Sequence, residues 1–143
     1  MDRPFHKFLD HTADVFFVAK ANTLPELFEQ CGLAVEETMV DVAKVLPKQK
    51  IKILGEDKEI DRLLYDFMDE LIFFKDYKQL MFSKFEIDIQ EKEGKFVLTC
   101  FASGEKLDIA RHDPKVDVKA VTMHQFEVKK IDKGWQANVI LDI

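Results

Sequence analysis

The chain has 143 residues, 47% hydrophobic and 34% charged, with a net charge of −6; this is globular rather than disordered composition, and the length suits one domain over 1–143. The acidic balance argues against direct nucleic-acid binding, which needs Lys and Arg clustered against phosphates, and leaves room for a basic protein partner or a divalent cation. The two cysteines, Cys31 and Cys100, lie far apart in apolar stretches and form no CxxC pair, which excludes a zinc ribbon or a thioredoxin-type motif. No apolar run approaches the roughly 18 residues of a membrane span. Met1-Asp2-Arg3-Pro4 leads into no signal-type apolar core, so a cytoplasmic protein, monomeric or weakly oligomeric, is expected.

In chain order, residues 5–20 read as two short strands bent at His11-Thr12-Ala13. Thr23-Leu24-Pro25-Glu26 is a capping box, with Thr23 as N-cap, Glu26 at N3 and Pro25 in the first turn, where its missing N–H costs nothing. Leu24, Leu27, Phe28, Cys31, Ala34, Val35 and Met39 then recur at helical spacing, with Glu29, Glu36 and Glu37 on the other side. A short strand separates this helix from a second, starting near Asp57, whose apolar stripe is Ile60, Leu63, Leu64, Phe67, Met68, Leu71 and Ile72. Phe85, Ile87 and Ile89 alternate with Glu86, Asp88 and Gln90, as in a strand with one buried face, and Glu93-Gly94 turns this strand into a second one over 95–102. Residues 116–130 read as a long strand or strand pair. After a turn at Asp132-Lys133-Gly134, Trp135, Ala137, Val139 and Leu141 share one strand face, opposite Gln136, Asn138, Ile140 and Asp142. Helices followed by a run of antiparallel strands indicate an α+β domain: two amphipathic helices packed with mostly antiparallel sheet layers.

Four segments concentrate polar groups. Asp10-His11-Thr12-Ala13-Asp14 lies between apolar strands, where Asp and Thr either cap a bend or present carboxylates to a hard cation such as Mg, Ca or Mn. Val139-Ile140-Leu141-Asp142-Ile143 sets a side-chain carboxylate beside the terminal one; the two repel unless solvated or bridged by a cation, and a frayed end is the alternative. In the run from Gly104 to His112, Arg111 and His112 are either a solvated loop pair or a site for an anion or a partner's carboxylate. In 118–124, strand alternation sets Lys119 with Val121 and Met123, so it snorkels or meets a carboxylate. The chain has no GxSxG, P-loop, HExxH or GxGxxG motif, and its four histidines form no recognisable zinc pattern.

Taken together, these pieces resemble the archease family over nearly the whole chain. The resemblance rests on Asp-His-Thr-Ala-Asp at 10–14, Thr-Leu-Pro-Glu-Leu-Phe at 23–28, the run from Glu105 to His112, Val-Lys-Ala-Val-Thr at 118–122 with His124, and the terminal Ile-Leu-Asp-Ile. At Met123-His124-Gln125 the chain departs from the family's common Tyr-His-Asp. The resemblance implies an accessory protein, not an enzyme, that serves an RtcB-type RNA ligase in tRNA splicing and RNA repair. It would promote guanylylation and repeated turnover of the ligase, with GTP consumed by the ligase rather than by this chain. It further implies a divalent cation (Ca, Mg or Mn) on Asp14, Asp142 and Ile143, with Asp10, His11, Arg111, His112 and Lys119 supporting or facing the partner. A chaperone-like interaction module is the alternative reading, and a metal-dependent hydrolase is disfavoured for want of converging ligands and a general base.

Overall fold

The structure, a computed structural model, describes residues 3–9 and 14–143. Strands β1 (Phe5–Leu9) and β2 (Val15–Ala21) precede helix α1 (Leu24–Met39); a short 3-10 turn (Val42–Lys44) leads to β3 (Gln49–Asp57) and helix α2 (Ile60–Lys78). Strands β4 (Leu80–Lys92) and β5 (Lys95–Lys106), the one-turn helix α3 (Ile109–His112), and strands β6 (Ala120–Ile131) and β7 (Gly134–Asp142) complete the chain.

The capping box behaves as its chemistry requires: the Glu26 amide donates to Thr23 Oγ1 at 3.3 Å and opens α1. Helix α2 starts later than Asp57, because that residue ends β3, where its Oδ1 accepts the Glu59 amide at 2.9 Å. Between β4 and β5, Glu93 and Gly94 both take positive φ (52° and 78°), which lets a two-residue turn match the strand twist.

All paired strands are antiparallel and form two sheets, ordered β1-β2-β7-β6 and β3-β5-β4. The two long helices, α1 and α2, each touch both sheets. Helix α1 packs on β1, β2 and β7 of the first and β4 of the second, and α2 packs on β6 of the first and all three strands of the second. One core unites them, with Phe17, Phe28, Phe67 and Phe82 among its fully buried members, so the aromatic wealth of the sequence lies where the layers meet.

This double covering overturns the placement of Glu36 on the solvent side of α1. Glu36 is 0% exposed, because β4 lies over the helix flank that a single sheet would have left in water. Its Oε1 accepts the Phe82 amide at 2.9 Å, beside a bulge where Ser83 is the extra residue between Phe82 and Lys84. Strand alternation also fails in two places. Strand β6 begins only at Ala120, so Val118 and Val121 are both buried and Lys119 between them is exposed, not set among apolar neighbours. Further on, the register jumps between Thr122 and Glu127, so residues 123–126 together face Val139 and Met123 is carried out to solvent.

Candidate functional site

Strand β7 is central in its sheet, with β2 on one side and β6 on the other. Its last residue, Asp142, pairs with Ala120 of β6, and the Asp142 carbonyl accepts the Lys119 amide at 2.8 Å. On the opposite side, Val15 pairs with Leu141. The ladder ends there; continued by one step it would set Asp14 across from Asp142, on the face shared by Phe16 and Ile140. Two carboxylates 128 positions apart in sequence are thus brought to the same end of the sheet by the β2–β7 pairing.

The segment 113–119 that delivers Lys119 is strapped to both helices. The Lys115 amide donates to the Met39 carbonyl at 2.8 Å, and Lys115 Nζ donates to the Glu37 carbonyl at 3.1 Å. From α2, Lys75 Nζ donates to Asp117 Oδ1 at 2.6 Å and to the Val118 carbonyl at 2.8 Å, and also pairs with Asp76. Asp14 is half-buried at the rim of an open cleft of about 500 Å³, beside Phe8, Leu9 and Val15, with Glu37, Thr38, Lys115 and Val116 opposite. Asp142 is exposed and Ile143 half-buried. The expected roles of Asp10 and His11 fall outside the described residues.

These donors are hard oxygens, the type that suits Ca, Mg or Mn. Among the described residues no group of three or more His, Cys, Asp or Glu side chains converges on one point. Two carboxylates and main-chain oxygen would therefore leave coordination positions for water or a partner's groups.

Arg111 and His112 are engaged within the chain instead of forming a solvated loop pair. Arg111 Nη2 donates to Glu105 Oε1 at 2.7 Å, and Glu105 Oε2 lies 2.9 Å from His112 Nε2 and accepts the Leu46 amide at 2.7 Å. The Asp108 amide donates to His112 Nδ1 at 2.9 Å. That ring nitrogen accepts, so Nε2 is the one that donates to Glu105. The Arg111 guanidinium, the Leu46 amide and His112 hold the Glu105 carboxyl far below the usual range, against the opposing effect of burial. His112 is 0% exposed, and its ring meets Glu105 and the Asp108 amide inside the chain. Arg111, half-buried, spans from Glu105 to the Lys44 carbonyl at 3.0 Å. The cluster pins the end of β5, the 3-10 turn and α3 together, where the strap that reaches Asp142 begins.

Two further carboxylates carry weight that the sequence pattern did not assign. Glu105 is read in the chain simply as part of a polar run, and Glu36 as a surface residue. A signal for Glu36 was present in its flanks, Val35 and Met39, which make the apolar arc broad; the identity of the covering strand was not.

The Archease protein family model matches residues 6–143. The chain belongs to the archease family. Its relatives include the protein archease of Pyrococcus furiosus, 38% identical over 94% of this chain and 95% of that one. The protein archease of Methanothermobacter thermautotrophicus is 40% identical over 96% and 97%. Among solved structures, protein 1598 of Methanobacterium thermoautotrophicum superposes with a TM-score of 0.86 at 37% identity, covering 96% of this chain and 98% of its own. A Thermotoga maritima structure, described as an archease and possible chaperone, shares the fold at 17% identity, with a TM-score of 0.63 and 96% of both chains covered. The α+β architecture with two antiparallel sheets is thus that of the archeases. Among the described residues no helix is long and apolar enough to cross a membrane.

Proposed function

We propose that this archease is an accessory protein of an RtcB-type RNA ligase, promoting guanylylation of the ligase and letting it turn over repeatedly. The observation that carries the reading is the β2–β7 register, whose terminal pair Val15–Leu141 brings the adjoining Asp14 and Asp142 to the same end of a central strand. In this reading Asp14, Asp142 and the main-chain oxygens of Ile143 hold a divalent cation, which when bound supplies positive charge at the partner's nucleotide site. The chain's own residues keep the carboxylates in place. The Lys119 amide fixes the Asp142 carbonyl, Lys75 and Lys115 hold the strap, and the Glu105 cluster supports it where it begins. The acidic charge of the chain favours approach to a basic, nucleotide-binding mouth. GTP is used by the ligase.

The test is joining of a 3′-phosphate RNA end to a 5′-hydroxyl end by the cognate ligase at substoichiometric amounts. Wild-type protein is expected to raise the number of turnovers, and Asp14→Asn and Asp142→Asn to abolish that increase with thermal melting unchanged. Full stimulation by both variants would sink the reading. A second reading, a chaperone-like module, is favoured by the stacked apolar pair Phe73 and Tyr77, 51% and 72% exposed on α2. It predicts suppression of aggregation of unrelated proteins, unaffected by either Asp change.

A further inference from the structure

Among the described residues strand β3 pairs only with β5, and its second edge has no strand partner. In an antiparallel strand every other residue turns its N–H and C=O away from the neighbour, so this edge offers a row of main-chain donors and acceptors. Exposed edges are commonly blunted by lysines, prolines or bulges. Here Lys50 and Lys52 guard the first half, but the second half, Ile53-Leu54-Gly55-Glu56, has no such guard and the β3–β5 register there is unbroken.

That half lines a cleft of about 310 Å³ between β3 and α2. Its floor is apolar: Leu63 and Phe67 of α2 and Leu98 of β5. Gly55 lets β3 lie close against α2, since a β-carbon there would stand 3.1 Å from Leu63 Cδ1. Leu54 is 65% exposed at the lip. The walls carry Glu56, Asp66, Asp69 and Glu70. Glu56 and Asp66 have only long, solvent-exposed pairs, to Lys95 at 4.0 Å and Arg62 at 3.6 Å, while Asp69 and Glu70 have no basic partner within 4 Å among the described residues.

We infer that the β3–α2 cleft is a docking groove for an extended basic peptide segment of another protein, which adds as a strand to the free edge of β3. The edge supplies main-chain hydrogen bonds, the Lys or Arg residues of the added strand point toward α2 and meet Asp66, Asp69 and Glu70, and the alternate apolar residues lie on the other face beside the exposed Leu54. This use of the fold is independent of Asp14 and Asp142. A polyanion is excluded by the same wall.

The probe is the capped hexapeptide Lys-Val-Arg-Val-Lys-Val, titrated into ¹⁵N-labelled protein and followed by amide shifts. Shifts are expected at 53–56 and 66–70, with a Kd of about 1 mM or tighter, weakening as salt rises. Asp69→Lys with Glu70→Lys, both exposed, is expected to weaken binding by at least about tenfold. A peptide with Glu in place of its basic residues, and one with Pro at the central Val, should not bind, the latter because Pro donates no ladder hydrogen bond. Absence of shifts, shifts centred elsewhere, or binding indifferent to the charge reversal and to Pro would overturn the proposal. So would shifts at 53–56 on raising the protein concentration without peptide, which would assign the edge to a second copy of the chain.

Discussion

Replacing Glu36 by Gln tests the sharpest electrostatic feature of the core. Burial pushes the Glu36 carboxyl up from 4.5 to about 8, against the lowering effects of the Phe82 amide and Lys75. Glu36 is therefore protonated at neutral pH, with Oε1 accepting from the Phe82 amide and Oε2 without a partner among the described residues. Because the folded form holds this proton more tightly than the unfolded chain, the stability is fully present below pH 4.5. It is lost as pH rises towards 8, at about 1.4 kcal/mol per pH unit. Gln keeps the volume and the acceptor for Phe82 but cannot ionise. Its extra N–H donor is unsatisfied, so at pH 5 the variant should match wild type or fall short by about 1–3 kcal/mol. Between pH 5 and pH 8 the variant should gain about 4 kcal/mol relative to wild type. Urea unfolding at pH 5, 6.5 and 8 reads this directly. Parallel stability profiles for the two proteins would refute the claim that a buried, protonated Glu36 sits between α1 and β4.

Glu105→Gln should lower the melting temperature at pH 7, because Arg111 loses its counter-charge and the Leu46 and His112 donors lose a charged acceptor. The Glu105 carboxyl is held far below its usual range, so the stability it contributes is fully present above about pH 4.5 and declines as pH falls toward that lowered value; the gap between variant and wild type should narrow, without closing, in melts run from about pH 7 to about pH 3. Gly104→Ala should be among the most damaging single changes. Its β-carbon would lie 1.8 Å from the Met81 carbonyl oxygen, a backbone atom that cannot swing aside. A loss of about 4 kcal/mol or more in chemical denaturation, or failure to fold, is expected; a wild-type midpoint would show that β4 and β5 do not approach so closely there.

Much of this protein could be read locally. The Thr23 capping box, the helical spacing to Met39, the alternation around Phe85 and the Glu93-Gly94 turn each depend on neighbours a few residues away, and each appears in the structure as its chemistry dictates. The strap and the bulge were harder. Alternation presumes an unbroken ladder, and the ladder of β6 starts late and jumps at 123–126, which moves Lys119 and Met123 into solvent. What no local pattern contained is which strands become neighbours. The β2–β7 pairing joins segments from opposite ends of the chain and alone brings Asp14 and Asp142 to the same end of the sheet. The second sheet, closing over α1, makes Glu36 a core residue. Periodicity reports which face of an element avoids water; what covers that face, and which distant side chains it meets, is decided by the layers packing together.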